Sequence, residues 1–167
     1  LGGDPAQPLG EARRRGHDPH VARRGLGDDR GDLGATLGEG ALDGAQVDLA
    51  ALRGAPLLVT FWATSCTGCV KEIPHLIELH EEFSPQGFKV IGIAMSYDPP
   101  NHVIAMREAR KIPYTIALDI DASAAHAFGD VRLTPTTFLI APDGRIVRQK
   151  IGEFDMDDMR GQIRAML

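Results

Sequence analysis

The two cysteines of the chain, Cys66 and Cys69, stand where an apolar run gives way to an amphipathic segment. The run "PLLVTFWA" (56–63) is rich in strand-forming residues and is typical of a buried central strand. Beyond the cysteines, apolar residues recur at helical spacing from Val70 to Phe83. The pair therefore lies at the junction of a strand and a helix, which restricts the folds open to this chain.

The rest of the chain continues this alternation of strands and helices. Strands are predicted at 88–95 and 114–119, and helices from Pro99 to about Lys111, over 122–129 and at the C-terminus. "TTFLIA" and "RIVRQKI", joined by "PDG", predict an antiparallel hairpin. The order β-α-β-α-β-α-β-β-α predicts an α/β fold with a central mixed β-sheet flanked by helices on both faces.

Composition limits the domain count and the partners. The 167 residues suffice for one domain, and the net charge of −5 argues against nucleic acid as the main partner. No apolar run reaches the roughly 18 residues of a membrane span, and no signal peptide is visible. Residues 1–40 hold ten glycines and six arginines without periodicity, so we expect a flexible Gly/Arg-rich leader at 1–40 and the domain at 41–167.

Three uses of the cysteine pair compete. A disulfide that closes so short a loop stabilises a fold little, which disfavours a structural staple. A metal site needs two further ligands, and the sequence has neither a second C-x-x-C nor a close pair among its six histidines. A C-x-x-C pair between a strand and a helix is typical of redox couples. The redox interpretation is therefore favoured.

The position of each cysteine predicts its role. At the start of a helix, Cys66 would lie by unpaired backbone N–H groups and the positive end of the helix dipole, which lower the pKa of a thiol. Cys69, one turn further, would be more buried and within bonding reach. We expect Cys66 to attack a partner disulfide and Cys69 to resolve the mixed disulfide.

The stretches "LLVTFWATSCTGCVKEIP" and "LTPTTFLIAPDGRIV" resemble the thioredoxin superfamily, and more closely its TlpA/ResA-type thiol–disulfide oxidoreductases. The resemblance covers about residues 42–167. It implies a thioredoxin-like fold with an extra strand–helix insertion before a cis-proline. It also implies dithiol/disulfide exchange with protein partners, by a reductase of the kind used in cytochrome c maturation.

Several further residues acquire roles through this resemblance. Pro135 matches the cis-proline that faces the cysteines, and the Thr134 backbone would pair with an extended substrate. Trp62 matches the tryptophan at the strand end, for which an ordinary core position is the alternative. The predicted substrate-binding residues are therefore Trp62, Thr134, Pro135 and the two residues between the cysteines, Thr67 and Gly68. Gly68 stands where proline is common, so the reduction potential is open between about −270 and about −120 mV.

Glu72 is the third predicted catalytic residue. It matches a glutamate that ResA-like members hold near the cysteines. One turn beyond Cys69, a partly buried carboxylate could accept or return a proton during exchange. A solvated glutamate that stabilises the helix dipole is the alternative. Two residues before Trp62, Thr60 stands where other thioredoxins carry a buried aspartate, and a threonine cannot supply that proton.

The remaining expectations concern cofactor, partners, location and rival functions. No cofactor is expected beyond the redox-active disulfide, and no metal. Protein dithiols and disulfides, with a membrane electron-donor protein, are the expected partners, and the resemblance implies an extracytoplasmic (periplasmic) location. The oligomeric state is not readable. The alternative functions are a peroxiredoxin-like peroxide reductase and a non-enzymatic metallochaperone. A peroxiredoxin-like site requires the pattern T-x-x-C, whereas Thr64 stands only two residues before Cys66. Asp119 and Asp121 begin like a calcium loop, but capping of the following helix is favoured.

Overall fold

The computed structural model of the chain describes residues 36–37, 42 and 47–167. A short antiparallel pair joins β1 (Thr36–Leu37) to β2 (Val47–Asp48). All of the predicted leader except β1 lies outside the described residues. The division of the chain at residue 40 therefore stays a prediction.

The main sheet has five strands in the order β5-β4-β3-β6-β7. The strands are β3 (Leu57–Trp62), β4 (Lys89–Ala94), β5 (Thr115–Leu118), β6 (Thr136–Ile140) and β7 (Ile146–Ile151). β3, β4 and β5 run parallel to one another, whereas β6 is antiparallel to both β3 and β7. All residues of β3 are buried because the strand is central and covered on both faces.

In the part of the chain that the structure describes, four helices cover the sheet: α1 (Thr67–Phe83), α2 (Pro100–Arg110), α3 (Ser123–Ala127) and α4 (Met156–Arg164). Within the described residues, short 3₁₀ turns lie at Ala50–Leu52 and Ser84–Gln86. One core cluster packs α1, Val103 of α2 and α4 against one face of the sheet, and the other packs α3 and β2 against the opposite face. The predicted mixed sheet with helices on both faces is confirmed, and β5 with α3 forms the strand–helix insertion before Pro135.

α1 and α4 are held side by side, which matters for the site. Met159 and Ile163 of α4 are buried in the same cluster as the apolar face of α1. Arg160 donates from Nε to Glu82 Oε2 (2.7 Å) and also pairs with Glu78, both on α1. This packing places the segment just before α4 over the first turns of α1.

Candidate active site

Cys66 and Cys69 are joined by a disulfide at the start of α1, with their Cα atoms 5.2 Å apart. Cys66 is the N-cap residue, with an extended backbone, and its Sγ accepts a hydrogen bond from the Cys69 backbone N–H (3.2 Å). Cys66 is half-buried, whereas Cys69 is only 3% exposed. A partner protein therefore reaches the Cys66 sulfur first, and the helix N-terminus is placed to stabilise a thiolate there.

The Thr134–Pro135 peptide is cis, as the resemblance implies, and it lies against the first turn of α1 between the cysteines. A Cβ built on Gly68 would come within 3.6 Å of Pro135 Cδ. Pro135 is buried and its carbonyl accepts a hydrogen bond from Gly152 N (2.8 Å), whereas Thr134 is half-buried and Thr67 is exposed. The fold thus brings together Thr67, Gly68, Thr134 and Pro135.

Glu72 lies beneath the disulfide on the buried face of α1 and is 2% exposed. Its Oε2 accepts a hydrogen bond from the backbone N–H of Phe154 (2.8 Å), the residue that leads into α4. Within the described residues, its Oε1 has no hydrogen-bond partner. The alternative of a solvated first-turn glutamate does not fit this burial.

This environment changes the acidity of Glu72. Burial raises its pKa from 4.5 to about 7, the hydrogen bond from Phe154 opposes the rise, and the negative charge of Glu153 adds to it. Burial also raises the pKa of Tyr114, and the charge of Glu72 contributes there. A carboxyl group with a pKa near neutrality can both accept and return a proton at physiological pH.

Trp62 does not belong to the predicted substrate surface. Its side chain is 4% exposed and packs in the core cluster with Cys69 and Ile73. A Cβ at Gly92, in the neighbouring strand β4, would lie 3.1 Å from Trp62 Nε1. The indole therefore fills the space that Gly92 leaves, and it supports the site from beneath rather than by contact with a partner.

Two polar contacts near the cysteines carry no local sequence signature. Asp98 is 5% exposed and accepts hydrogen bonds from both the backbone N–H and the Oγ1 of Thr64, each at 2.7 Å. This carboxylate ties the segment that precedes Cys66 to the loop after β4. The buried Thr60 hydroxyl pairs with Thr137 Oγ1 (3.0 Å), so Thr60 is satisfied within the sheet.

Glu153 is another residue at the site that sequence reasoning missed. A Cβ on Gly68 would lie 3.4 Å from Glu153 Oε1, so this exposed carboxylate stands against the first turn of α1, between the cysteines. Glu153 reaches this place because the end of β7 returns to Pro135. Only the pairing of distant strands brings it there, and no local motif could have identified it.

The acidic residues at 119–121 act as helix caps. The Asp119 carboxylate accepts hydrogen bonds from the backbone N–H groups of Ala124 and Ala125, and Asp121 accepts one from Ser123. The capping prediction is confirmed. Among the residues that the structure describes, no three His, Cys, Asp or Glu side chains cluster in a way that could hold a metal ion.

Comparison with known proteins identifies the family. The family described as Redoxin matches residues 29–167. The chain belongs to the Redoxin family. The thiol–disulfide oxidoreductase ResA of Bacillus anthracis is 29% identical to it over 128 residues, which is 75% of this chain and 71% of the relative. The ResA of Bacillus subtilis is 30% identical over 113 residues, covering 66% of this chain and 60% of the relative.

A solved structure agrees in fold. A secreted disulfide oxidoreductase of Mycobacterium tuberculosis superposes with a TM-score of 0.70 at 22% identity, covering 83% of this chain and 99% of that one. This Redoxin-family chain therefore has the predicted thioredoxin-like fold. The prediction of a ResA-like thiol–disulfide oxidoreductase that uses a C-x-x-C couple is confirmed.

Proposed function

We propose that Cys66 and Cys69 exchange electrons with cysteine pairs of other proteins outside the cytoplasm, and that the couple works as a reductase of the cytochrome c maturation type. One observation carries the proposal. A half-exposed sulfur at a helix N-terminus stands above a buried second sulfur and a buried carboxyl group with a pKa near 7. This arrangement supplies a nucleophile, a resolving thiol and a proton carrier in one place.

The first step is attack on the partner. In the reduced protein the Cys66 thiolate attacks one sulfur of a partner disulfide, a Cys66–partner S–S bond forms, and the other partner sulfur leaves as a thiolate that takes up a proton. The dipole of α1 and the N–H of Cys69, which points at the Cys66 sulfur at 3.2 Å, stabilise the attacking thiolate. The cis Thr134–Pro135 segment would receive an extended stretch of the partner through its backbone.

The second step resolves the mixed disulfide. Cys69 is buried, so its thiol loses a proton only if a nearby group accepts it. Glu72 lies one turn along the same face of α1 and is the acceptor in this account. The Cys69 thiolate then attacks Cys66 Sγ, so the Cys66–Cys69 bond forms as the Cys66–partner S–S bond breaks. The departing partner thiolate takes up a proton, and the partner leaves as a dithiol that has gained two electrons.

The cycle needs a dithiol donor to reduce Cys66–Cys69 again, and we propose a membrane electron-donor protein for that role. The names of the relatives support a protein thiol chemistry, and the name of the secreted mycobacterial protein supports an extracytoplasmic setting. The described part of the chain contains no helix long and apolar enough to cross a membrane. The redox-active disulfide is the only cofactor that the proposal requires.

Neither alternative function is favoured by an observation in the structure. A peroxiredoxin-like site requires a threonine three residues before its cysteine, whereas Thr64 stands two residues before Cys66. The Thr64 hydroxyl also donates a hydrogen bond to Asp98 (2.7 Å). A metallochaperone needs ligands beyond the cysteine pair, and the described residues offer no such cluster. Oxidation by hydrogen peroxide no faster than that of free cysteine is expected in stopped-flow measurements.

Trapping of covalent intermediates tests the proposed exchange and the two cysteine roles. In Cys69→Ser the mixed disulfide cannot be resolved, so we expect it to accumulate on Cys66 at least about tenfold above the level in Cys66→Ser. The reduced variants are mixed with a disulfide-containing protein substrate, quenched with acid and examined by mass spectrometry. A Cys66→Ser, Cys69→Ser double variant is the control for non-specific capture. Equal trapping by both single variants would contradict the assignment of Cys66 as the nucleophile and Cys69 as the resolving cysteine.

A further inference from the structure

The surface next to the disulfide is built by two segments that meet at Pro135. Thr136 pairs with Ile151 in the β6–β7 ladder, and Gly152 N donates to the Pro135 carbonyl (2.8 Å). Thr136 Oγ1 also donates to the carbonyl of Leu133 (2.6 Å), which holds the preceding turn against the same place. The turn before β6 and the end of β7 therefore form one continuous rim beside the active site.

Two aliphatic side chains project from this rim. Leu133 is 63% exposed and Ile151 is 57% exposed. A single exposed aliphatic side chain is ordinary on a protein surface, but these two lie on adjoining segments of the Pro135 rim. They offer apolar contact to a chain segment that crosses Pro135 on its way to Cys66.

Glu153 adds a negative charge at the disulfide side of this rim. Its exposed carboxylate stands against Gly68, and a Cβ there would be 3.4 Å from Oε1. Glu153 forms no ion pair with any residue of the described part of the chain. The nearest cation along α1 is Lys71, exposed one turn beyond Gly68, and no ion pair joins it to Glu153.

The α3 side of Pro135 carries charges of both signs. Arg132 is exposed and lines a cavity of about 240 Å³ together with His126 and Asp130, next to α3 rather than α1. Asp130 is exposed as well and pairs with His126, so Arg132 does not make this side simply cationic. Glu153 is therefore the charge that a partner segment meets on the disulfide side of Pro135.

We propose that Glu153 selects partner proteins that carry a lysine or arginine next to the cysteine that reacts with Cys66. The inference rests on the proposed function, because it names the substrate class of the same exchange. A cation beside the partner cysteine would pair with Glu153 as the two sulfurs approach, while an anion there would be repelled. A charge at a solvent-exposed rim acts mainly on the rate of encounter and on the choice of partner.

Peptide substrates of one sequence test the proposal. Each peptide carries a single cysteine in a mixed disulfide with 2-mercaptoethanol, and Lys, Ala or Glu stands immediately before or immediately after that cysteine. The second-order rate constant for their reduction by the reduced protein is measured from acid-quenched samples. The protein is compared with Glu153→Gln, with Lys71→Gln, and with Glu108→Gln as a matched loss of one exposed carboxylate. Glu108 is an exposed residue in the last turn of α2 and does not belong to the Pro135 rim.

The expected result is a preference for Lys over Glu of roughly fivefold at low ionic strength, at one of the two positions. The preference should fall below about twofold in Glu153→Gln, increase in Lys71→Gln, stay unchanged in Glu108→Gln, and vanish near 1 M salt, where screening acts over about 3 Å. A ratio near one in the unmodified protein, or a ratio that Glu153→Gln leaves unchanged, overturns the inference while the exchange activity stands. Failure to reduce even the alanine peptide overturns both.

Discussion

Glu72 is an acid held on the buried face of α1 with one hydrogen bond, from the backbone of Phe154. Burial disfavours its charged form, and the raised pKa of about 7 expresses that cost. The folded protein therefore holds this proton more tightly than the unfolded chain, in which the pKa is near the ordinary 4.5. Below pH 4.5 both states are protonated and burial of the charge costs nothing. As pH rises towards 7 and beyond, the folded state becomes relatively less stable.

Glu72→Gln tests this linkage. Glutamine keeps an oxygen that accepts the hydrogen bond from the Phe154 N–H, and it cannot ionise. Folding of the variant therefore does not include the pH-dependent free-energy cost of burying a charged carboxylate. We expect the stability of the unmodified protein, relative to the variant, to fall by about 2 kcal/mol between pH 5 and pH 8. Urea unfolding of the oxidised proteins at the two pH values measures the difference.

Glu108→Gln is the matched control for the loss of one carboxylate, because Glu108 is an exposed glutamate of α2. Parallel pH dependences for Glu72→Gln and the unmodified protein would contradict the raised pKa.

At the residue scale, the sequence identified the parts of the site that have a local motif. Cys66, Cys69 and Pro135 lie within short sequence motifs, and the structure places them together. The position of Glu72 was predicted as well, but its full burial depends on Phe154, which lies 82 residues further along the chain. Glu153 reaches the disulfide through strand pairing alone, and such long-range geometry leaves no pattern in one sequence.

At the element scale, the packing of β3 against β4 explains why Trp62 lies inside the protein. Gly92 of β4 has no side chain, and the indole of Trp62 and the Ile116 side chain of β5 occupy that space. Hydrophobic runs predicted both strands, because fully buried parallel strands are apolar along their length. The runs did not reveal that a glycine in one strand makes room for a tryptophan in the next.

Gly92→Ala should therefore destabilise the domain. The added Cβ would lie 3.0 Å from Ile116 Cδ1 and 3.1 Å from Trp62 Nε1, so the core must shift to accept it. Overpacking of this kind costs about 1–3 kcal/mol. The loss is measured by urea unfolding of the oxidised variant.

Gly161→Ala provides the matched control in the same experiment. Gly161 lies in α4, and a Cβ there would meet nothing within 4 Å. Replacing this helical glycine should raise the free energy of unfolding by about 0.5–1 kcal/mol. Equal effects of the two substitutions would show that the contact with Trp62 and Ile116 is not tight.

At the scale of the whole molecule, alternating strands and helices predicted the layered fold, and the "PDG" turn predicted the β6–β7 hairpin. The strand order and register could not be predicted in the same way, since they are decided by which faces bury together. α4 illustrates the point: a helix at the C-terminus was predicted from the sequence, but its packing against α1 was not. That partnership, held by Met159, Ile163 and Arg160, brings Phe154 to Glu72.

The direction of electron flow is a property of the whole domain, because it depends on how much more stable the fold is with the disulfide than with the dithiol. The helix dipole at Cys66 favours the thiolate, whereas the buried carboxyl group of Glu72, when ionised, disfavours negative charge at Cys69. A reductase requires that the balance favour the disulfide, so that the dithiol readily gives up its electrons.

The equilibrium reduction potential of Cys66–Cys69 tests this central claim most directly. The protein is equilibrated with defined ratios of reduced and oxidised glutathione at pH 7, the free thiols are alkylated, and the fraction of dithiol is measured by mass spectrometry. The account predicts a potential below about −230 mV, in the range of protein reductases. A potential near −120 mV would contradict it, because a couple that oxidising would draw electrons from partner proteins instead of supplying them.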